Sequence, residues 1–435
     1  MSSSPRWYSG LFVLAAFLFC FSCFWQACQE VSNVGLDLDG ISHGKPLSHK
    51  SFSLGVQTSY HGDSLLSSKS SVILVGAYQD PRLGNLQSHA FIHPKEESPF
   101  HRVGENDLLD SISFVWQGIY RQGHKKDQVF DFYELNTSMS QDGEDPNKDY
   151  FSSDSLSTEQ RTFIGQITRR IQKDYEKIDL YYLQVSHENA WARDFFNRIK
   201  KKGVNVYDVL QTFVILPREE NDAILGFSPE HSTMKVFYRG INDSRSTQRK
   251  TFLFSSFRFN RFIIDEVPIP RLLEDTQHAY TQAGVGLFWK VNMNPLKNWY
   301  DSIGKPQINT LSLSVGPILI PPDTHQLHLN FPKALRIGYL SSRPEKTSVK
   351  TIIKNIVPND LGYLSRLPQD FFFTTESENL PHTYSGTFST FFDKLPEDTE
   401  NQNLDWVLYP EHYNRLDQAI LAPPKLHVDI YYHIP

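Results

Sequence analysis

Cysteine is nearly missing from this sequence of 435 residues. The chain has three cysteines, and all of them (Cys20, Cys23 and Cys28) lie within its first 28 residues. The rest of the sequence therefore has no thiol for a disulfide, a thiolate metal site or a cysteine nucleophile. In an exported protein this composition is typical of a bacterial envelope fold that relies on the size of its core.

The sequence also lacks an excess of positive charge. The full chain has a formal net charge of −6, and because residues 1–27 carry a single charge, that of Arg6, the rest has a net charge of −7. A nucleic-acid partner favours a basic stripe on the protein. We therefore predict that this protein does not bind nucleic acid.

Motifs of the common enzyme classes are missing as well. The segment GFSPE (226–230) has a glutamate where a nucleophile elbow needs its second glycine, so Ser228 is predicted to be a turn residue. The sequence contains neither a phosphate-binding loop nor a dinucleotide fingerprint. His325 and His328 have the spacing of a helical metal pair, but the two prolines just before them favour an extended segment. No catalytic residue is predicted.

Aromatic residues, in contrast, are abundant. They make up 13% of the chain, with 31 Phe and 20 Tyr beside 25 Pro and 23 Gly, which favours many short strands joined by turns. SSVILVGAY (70–78) is apolar on both faces, which favours a strand between two layers. DSISFVWQGIY (110–120) and KLHVDIYYHIP (425–435) alternate with a period of two. We predict a mainly β fold of sandwich or jelly-roll type, with two packed β halves and a few short helices.

Few segments favour a helix. Two helices are predicted in the middle of the chain, over 158–173 and 188–202, and a short element that is either helical or a turn over 295–300. The second of these has its apolar side chains on one stripe and ends at Gly203, a natural C-cap. Residues 341–402 have no regular pattern and are predicted to be irregular.

The first 35 residues indicate where the protein resides. Arg6 precedes an apolar run over 11–25, and a polar stretch begins after Cys28. This order is that of a secretory signal, and a cysteine after a small residue is the lipid acceptor of bacterial lipoproteins. Cys23 and Cys28 both follow a small residue, and Cys28 is preferred because the polar chain begins directly after it. An uncleaved anchor helix and a cleaved signal without lipid are the alternatives.

These patterns predict four parts of the chain. Residues 1–27 are a lipoprotein signal peptide, and 28–50 are a flexible tether rich in polar residues. Residues 51–245 form an N-terminal sandwich-like half with a helical insertion, and 246–435 form a C-terminal sandwich-like half. The boundary is placed in a polar, turn-rich stretch.

One acidic loop is the strongest cation candidate. Calcium prefers several hard oxygen ligands from one flexible loop. Such oxygens come from Asp142, Glu144, Asp145, Asn147 and Asp149. The spacing differs from that of an EF-hand, which favours a solvated loop without an ion. No cofactor is therefore predicted, and a structural calcium ion in this loop is the alternative.

Two further groups of residues are candidates for binding. The polar face of the last predicted strand forms either a site or a solvated surface, and it carries His427, Asp429, Tyr431 and His433. Four tryptophans form either a sugar-stacking platform or part of the core: Trp191, Trp289, Trp299 and Trp406.

Several passages together resemble a known family. They are VGLDLDG after Cys28, LVGAYQDPRLGNLQSHAFI followed by DSISFVW and FDFYELN, then AILGF, GVGLFWKVNM and the final ILAPPKLHVDIYYHIP. In order and spacing they are similar, along nearly the whole mature chain, to the exported Bacteroidota lipoproteins of domain-of-unknown-function family 4270. The lipobox and the long insertion after Asn136 depart from that family. The resemblance implies lipidation of Cys28 and a β architecture, and it implies no activity or catalytic residue.

The expected function follows from location and fold. We expect a lipoprotein of the cell envelope, anchored in the outer membrane and facing the periplasm or the outside, that contacts an envelope protein or a glycan as a binding or assembly module. The first alternative is a carbohydrate-active hydrolase on a jelly-roll scaffold, which would need two facing carboxylates. The second is a structural accessory subunit of an outer-membrane complex.

Overall fold

The fold is mainly β, as the sequence predicts. The computed structural model has two packed antiparallel sheets in a β-sandwich-like arrangement. Both sheets belong to one compact unit, Ser48–Pro435. The structure describes residues 47–62, 65, 67–68, 70–98, 103–124, 127–136, 150, 154–170, 179–200, 209–240, 243–265, 267–319, 327–332, 334–340, 371–374, 382–388, 405–411 and 415–434.

Within these residues the elements are twenty-one strands and three helices. The strands are β1 (Ser48–Tyr60), β2 (Ile73–Asp80), β3 (Gly84–Glu96), β4 (Leu108–His124), β5 (Phe130–Leu135), β6 (Arg161–Arg170), β7 (Asp179–Ser186), β8 (Phe213–Pro217), β9 (Ala223–Phe227), β10 (Thr233–Gly240), β11 (Asp243–Ile264), β12 (Ala279–Gln282), β13 (Leu287–Asn292), β14 (Gln307–Leu319), β15 (Leu327–His328), β16 (Ala334–Leu340), β17 (Phe371–Thr374), β18 (His382–Phe388), β19 (Asp405–Pro410), β20 (Gln418–Leu421) and β21 (Lys425–His433). The helices are α1 (Ala190–Lys200), α2 (Ile269–Glu274) and α3 (Asn294–Ser302).

Sheet I has ten strands and is built around the C-terminal part of the chain. Its order is β1-β21-β14-β18-β17-β16-β19-β13-β12-β20, and β1 also pairs with β13, so the sheet turns back on itself. One side encloses a core that includes Trp289, Leu313 and Val428. These side chains alternate with outward ones because successive residues of a strand point to opposite faces.

Sheet II has eleven strands, in the order β10-β11-β3-β2-β9-β4-β7-β6-β5-β8, with β15 paired to β4. Further pairings of β3 with β8 and of β10 with β4 turn this sheet back on itself as well. Its enclosed core is rich in aromatic rings, and those of Trp116 and Phe254 stack with centroids 4.5 Å apart. Each square ångström of apolar surface buried in this way contributes about 25 cal/mol.

Strand β2 lies between the two cores. Ile73 and Val75 pack in the core of sheet II, whereas Val72 and Leu74 pack in a separate cluster with side chains such as Leu287 of sheet I. This confirms the prediction that 70–78 forms a strand between two layers. The same strand needs a glycine at position 76, where φ is +143° and a Cβ would lie 2.1 Å from the carbonyl oxygen of Ala223.

Polar side chains also connect the two sheets. The Tyr78 hydroxyl donates to Asp80 Oδ2 at 2.7 Å, and Arg82 Nη1 donates across the junction to Gln418 Oε1 at 3.0 Å. Burial, reinforced by the charge of Asp80, raises the pKa of Tyr78 well above its usual value, so the hydroxyl keeps the proton that it donates. Tyr78, Asp80 and Gln418 are buried, so loss of these bonds would leave unsatisfied groups, and the bond from Arg82 to Gln418 joins the two sheets.

Helix α1 covers one end of the sheet II core, and its apolar stripe is buried as predicted. A buried carboxylate ties the helix to β5. Glu134 accepts hydrogen bonds from Trp191 Nε1 at 2.8 Å and from Arg198 Nη2 at 2.7 Å. Burial raises the pKa of Glu134, and the neighbouring Arg198 opposes this rise.

The helix predicted over 158–173 is wrong, because residues 161–170 form strand β6 between β5 and β7. Ile164 and Ile167 are both buried and lie three positions apart, which is the spacing of a helical stripe. A bulge in the pairing of β5 with β6 explains this spacing, because one extra residue in a strand reverses which face the following side chains occupy.

The remaining predictions of elements and boundaries agree with the structure only in part. The short element at 295–300 is part of α3, and within the region predicted to be irregular two segments, β17 and β18, are strands. The alternation predicted to the end of the chain stops at His433, where β21 ends, and Ile434 beyond it is 52% exposed. The predicted boundary between 245 and 246 falls inside β11.

Candidate functional site

The polar residues predicted on the last strand all project from the outer face of sheet I. His427, Asp429, Tyr431 and His433 alternate along β21 with residues that are buried in the sheet I core. The pleat of the strand therefore places these four side chains on one surface, as the period of two predicted.

Three neighbouring strands add polar side chains to the same surface, which we call the polar face. Strands β1 and β14 flank β21, and β18 lies next to β14. The rows of cross-strand neighbours are His49, Tyr431 and Thr310; then Ser51, Asp429, Ser312 and Thr387; then Ser53, His427, Ser314 and Ser385. Neighbouring strands are about 4.8 Å apart, so these groups form a regular grid of hydroxyl, carboxylate and imidazole groups.

Asp429 lies near the centre of the polar face and joins two side chains of β1. Ser51 Oγ donates to Asp429 Oδ1 at 2.5 Å, and His49 Nε2 lies 3.2 Å from the same oxygen. The His49 ring also packs on the Tyr431 ring with centroids 4.7 Å apart. At the far end of β21, His433 Nε2 lies 3.2 Å from Asn309 Nδ2 of β14.

The Asp429 carboxyl is held in its ionised form. The hydrogen bond from Ser51 is the largest cause that lowers its pKa, and the bond and charge of His49 and the charge of His427 act in the same direction. Partial burial opposes them, and the net result is a lowered pKa. At neutral pH the polar face therefore carries a fixed negative charge among hydroxyl groups.

These three residue types also occur in hydrolytic triads, but the arrangement here differs. In a triad the histidine lies between the serine and the carboxylate and contacts them through different ring nitrogens. Here His49 Nε2 is the atom near both partners, at 3.2 Å from Asp429 Oδ1 and 3.3 Å from Ser51 Oγ. Ser51 also donates directly to Asp429. His49 cannot use one nitrogen both to donate to Asp429 and to accept the serine proton, so the cluster is a hydrogen-bonding group and not an activated nucleophile.

Most side chains of the polar face are short. Seven of the eleven grid positions are serine or threonine. Beside the grid, a Cβ added at Gly55 would meet no atom within 4 Å. The largest exposed ring is that of Tyr431, which is 40% exposed. A flat partner can therefore approach the backbone of four strands closely.

Several predicted site residues lie outside the described part of the chain. These are the lipidation candidate Cys28 and the other candidate cleavage site Cys23, the proposed calcium ligands Asp142, Glu144, Asp145, Asn147 and Asp149, and His325. Their roles stay predictions. Of the histidine pair, the backbone of His328 is extended in β15 and pairs with Gly123 of β4, as the prolines before it indicated.

The other candidates are accounted for by the fold. Ser228 lies in the turn after β9, where its Oγ accepts the backbone N–H of His231 at 3.3 Å. Trp191, Trp289 and Trp406 are buried, and Trp299 packs edge-on against Phe52 with centroids 5.5 Å apart. The three buried tryptophans are core residues, and Trp299 is a partly buried residue packed against the sheet I core, so the four do not form one exposed sugar-stacking platform.

Sequence reasoning missed one partly buried histidine. His278 Nδ1 lies 3.1 Å from Asp275 Oδ2, and Tyr280 donates to the same oxygen at 2.9 Å. Asp275 also accepts backbone N–H groups of the turn that follows it, which explains the lowered pKa of its carboxyl despite opposing burial. The Asp-x-x-His spacing just after a short apolar segment was the available signal, and the cluster closes the turn between α2 and β12.

Within the described residues no group of three or more His, Cys, Asp or Glu side chains is placed to hold a metal ion. The helices in that part of the chain are all too short or too polar to cross a membrane.

Comparisons with known proteins name no family for this chain. No protein-family model matches the sequence, and the curated proteins contain no match to it. Among solved structures, a chain from the 3.5 Å cryo-EM structure of the Sputnik virophage aligns with 8% sequence identity over 93% of this chain and 90% of that chain. The TM-score of this alignment is 0.12, which does not indicate a shared fold.

Proposed function

We propose that this protein is an exported lipoprotein of the cell envelope, anchored through Cys28, that binds a glycan on its polar face. The order of the N-terminal sequence supports the anchor: a positive start, a short apolar run, and a cysteine that follows a small residue. The resemblance to exported lipoproteins of domain-of-unknown-function family 4270 points to the same location. The polar face is the observation that carries the binding role.

The chemistry of the polar face suits a polyol. An ionised carboxylate accepts hydrogen bonds from sugar hydroxyls, and Asp429 uses one of its two oxygens for both Ser51 and His49. The surrounding serine and threonine hydroxyls both donate and accept, so they can pair with hydroxyls in either orientation. The Tyr431 ring supplies an apolar surface for the C–H side of a sugar.

Binding to this face costs little conformational entropy. Ordering a long side chain such as lysine costs about 1.5–2 kcal/mol, and ordering serine or threonine costs less. Asp429 and Tyr431 are also already held by Ser51 and His49 before a ligand arrives. Pre-organisation of this kind leaves more of the interaction energy for affinity.

Hydrolysis by this face is less favoured than binding. Glycoside hydrolases generally need two carboxyl groups on opposite sides of the bond that is cleaved. Among the described residues of the polar face, Asp429 is the single carboxylate. A binding role therefore uses what this surface contains, whereas a hydrolase would need a second acid.

Affinity electrophoresis tests the binding role. The purified protein is run through gels that contain a soluble neutral polysaccharide (xylan, mannan or mixed-linkage β-glucan), beside the variants Asp429→Asn and Ser312→Arg. We expect at least one polymer to retard the wild type, and both variants to lose about tenfold or more in affinity, since each removes or blocks central hydrogen bonds. The control Gln184→Arg adds the same side chain at an exposed position of β7 and should bind like the wild type.

Equal retardation of the wild type and both polar-face variants would contradict the binding role, as would a wild type that none of these polymers retards. The anchor is tested separately by the intact mass of membrane-extracted protein, wild type beside Cys28→Ala. We expect an acylated N-terminus at Cys28 that the variant lacks. An unmodified N-terminus at Met1 would contradict the lipoprotein proposal and leave the binding role to be judged by the gels.

A further inference from the structure

The outer face of sheet II carries a row of apolar side chains that crosses five strands. Its members, in order across β11, β3, β8, β5 and β6, are Phe259, Phe91, Val214, Tyr133 and Phe163. We call this set the aromatic row. It lies on the opposite side of the sheet from the enclosed core, because the neighbours of its members along each strand, such as Ile92 and Ile215, belong to that core.

One end of the aromatic row is covered by the protein itself. The Phe91 and Phe259 rings stack with centroids 4.6 Å apart, and Tyr150 stacks on the other side of Phe259 at 4.5 Å. Leu156 packs against the same cluster. Phe91 and Phe259 are consequently fully buried, and this end has no surface for a ligand.

The other end of the row is open. Phe163, the last member of the row, is 51% exposed, which is an unusual state for a phenylalanine on a strand. Its ring meets the Tyr133 ring edge to face, with centroids 5.3 Å apart, so its orientation is fixed. The two rings form a rigid apolar platform at the margin of the sheet.

A positive charge lies directly beside this platform. The Arg161 guanidinium is 4.5 Å from the centroid of the Tyr133 ring. Among the residues that the structure describes, Arg161 forms no ion pair, whereas nearby Arg169 of the same strand pairs with two aspartates. The pKa of His89 in the neighbouring strand β3 is lowered to about 4, chiefly by burial and further by the charges of Arg261 and Arg161. Arg161 and Arg261 therefore place positive charge on one side of the aromatic row, whereas Asp131 lies on the other side of Tyr133.

The polar neighbours of the platform have planar side chains. Asp131 and Gln166 lie on the same face of β5 and β6, and Gln166 Nε2 is 3.4 Å from Asp131 Oδ1. Planar amide and carboxylate groups beside an aromatic ring can bond the hydroxyls of a sugar whose C–H face rests on that ring.

The size of the platform decides what kind of ligand it fits. A stable protein–protein interface buries about 800 Å² on each partner. The exposed apolar surface here is one phenylalanine ring and the margin of one tyrosine ring, since Tyr150 covers the far end. That surface matches a single six-membered ring. The Arg161 guanidinium, which pairs with no acid among the described residues, matches an anionic substituent on that ring.

We infer that Tyr133, Phe163 and Arg161 form a second binding site, for a sugar ring that carries a carboxylate or sulfate group. The ring stacks on Phe163, and its anionic group pairs with the Arg161 guanidinium. This site lies on sheet II and shares no residue with the polar face. An experiment that disproves one of the two sites therefore leaves the other proposal standing.

The test uses the full-length protein in native gels with polygalacturonate, dextran sulfate or uncharged dextran. We expect retardation by at least one of the two charged polymers and no effect of uncharged dextran. Phe163→Ala and Arg161→Gln should each weaken the interaction about tenfold or more. The matched controls are Ile119→Ala, which truncates another apolar residue that is 48% exposed, and Arg249→Gln, which removes another exposed positive charge of sheet II. Both should bind like the wild type.

Three results would overturn the site. The first is a wild type that neither charged polymer retards. The second is equal weakening by Arg161→Gln and Arg249→Gln, which would show a general charge effect. The third is unchanged binding in Phe163→Ala. Circular dichroism spectra of all variants identify any loss of fold, and Arg161→Gln, at an exposed residue, keeps the test decisive if Phe163→Ala does not fold.

Discussion

The outer faces of the two sheets have opposite chemistry on similar architectures. The polar face of sheet I consists of short hydroxyl side chains around Asp429, with its histidines exposed or half-buried and beside polar partners. The outer face of sheet II is aromatic, and its histidines, His89 and His93, are largely or fully buried. Sheet I leaves its face open, whereas sheet II covers much of its face with Tyr150 and Leu156.

The two outer faces differ in whether their side chains have to be covered by other parts of the chain. Apolar side chains such as Phe91 and Phe259 must be removed from water, so part of the chain is used to cover them. Serine and threonine side chains need no cover, so the polar face stays available to a partner. A covered face adds stability, and an open face is where binding evolves at little cost to the fold.

The largest expected effect concerns the enclosed cores. Buried leucines in the cores of the two sheets should contribute equally to the free energy of unfolding, although the outer faces differ. Leu225→Ala in sheet II and Leu313→Ala in sheet I remove the same atoms from side chains that are 2% and 1% exposed. Each should lower the free energy of unfolding by about 2–5 kcal/mol, and Leu108→Ala, at a residue 56% exposed, by far less. Chemical denaturation followed by tryptophan fluorescence measures the change. Because a shared apolar cluster joins the sheets, we expect one transition in every variant. Two separate transitions would show that the sheets unfold independently.

A smaller expected effect is a loss of folding stability at acidic pH, caused by a buried histidine on the outer face of sheet II. Burial lowers the pKa of His93 to about 4, below the usual 6.5. The folded state then binds this proton less tightly than the unfolded state, so stability is lost as the pH falls from about 6.5 through 4, by up to about 3 kcal/mol. His93→Gln should lose less stability over that range than the wild type, in urea titrations at pH 7 and pH 4.5. Gln184→Asn, at an exposed residue that carries no titratable group, is the control and should lose as much stability as the wild type. An equal loss in His93→Gln would show that this histidine does not cause the loss of stability at acidic pH.

The smallest effect concerns Asp429. Its pKa is lowered in the folded state, so its contribution to stability is present above the pKa of an unfolded aspartate, about 3.9, and is lost as the pH falls through the folded value. Because the side chain is 47% exposed, solvent screening should keep this contribution below about 1 kcal/mol. NMR titration of the Asp429 carboxyl carbon measures the pKa directly. In Ser51→Ala the pKa should rise, since the largest stabilising hydrogen bond is removed; an unchanged titration would mean that Ser51 does not hold the carboxylate.

Much of the fold was predictable because strand patterns are local. The alternation in 110–120 and 425–435 and the double apolar pattern of 70–78 identified β4, β21 and β2. Strand β6 was missed because a bulge gave its two buried isoleucines a helical spacing. The same error concealed the aromatic row, since Arg161 and Phe163 share a face only if the segment is a strand.

The candidate site was predictable for one strand out of four. The polar side chains of β21 followed from its own alternation, but Ser51, Ser312 and Thr387 join them through pairings between distant parts of the chain. Cross-strand register depends on the whole fold, so it cannot be predicted from the sequence of a single strand. The serines that alternate with leucines in NTLSLSV (309–315) were the one local hint that β14 has a polar face.

The pairing of β1 with β21 determines how late in synthesis this part of sheet I can form. Ser48 pairs with Tyr432, so the first described strand finds its neighbour at the opposite end of the chain. Ribosomes add about 5–20 residues per second, so β1 waits roughly 20–75 s before β21 exists. Until then, the hydrogen-bonding edge of β1 that faces β21 has no partner strand, and the row that joins Ser51 to Asp429 cannot form. The polar face can therefore be completed only after β21 is synthesised, and a chain released before that would lack His427, Asp429 and Tyr431.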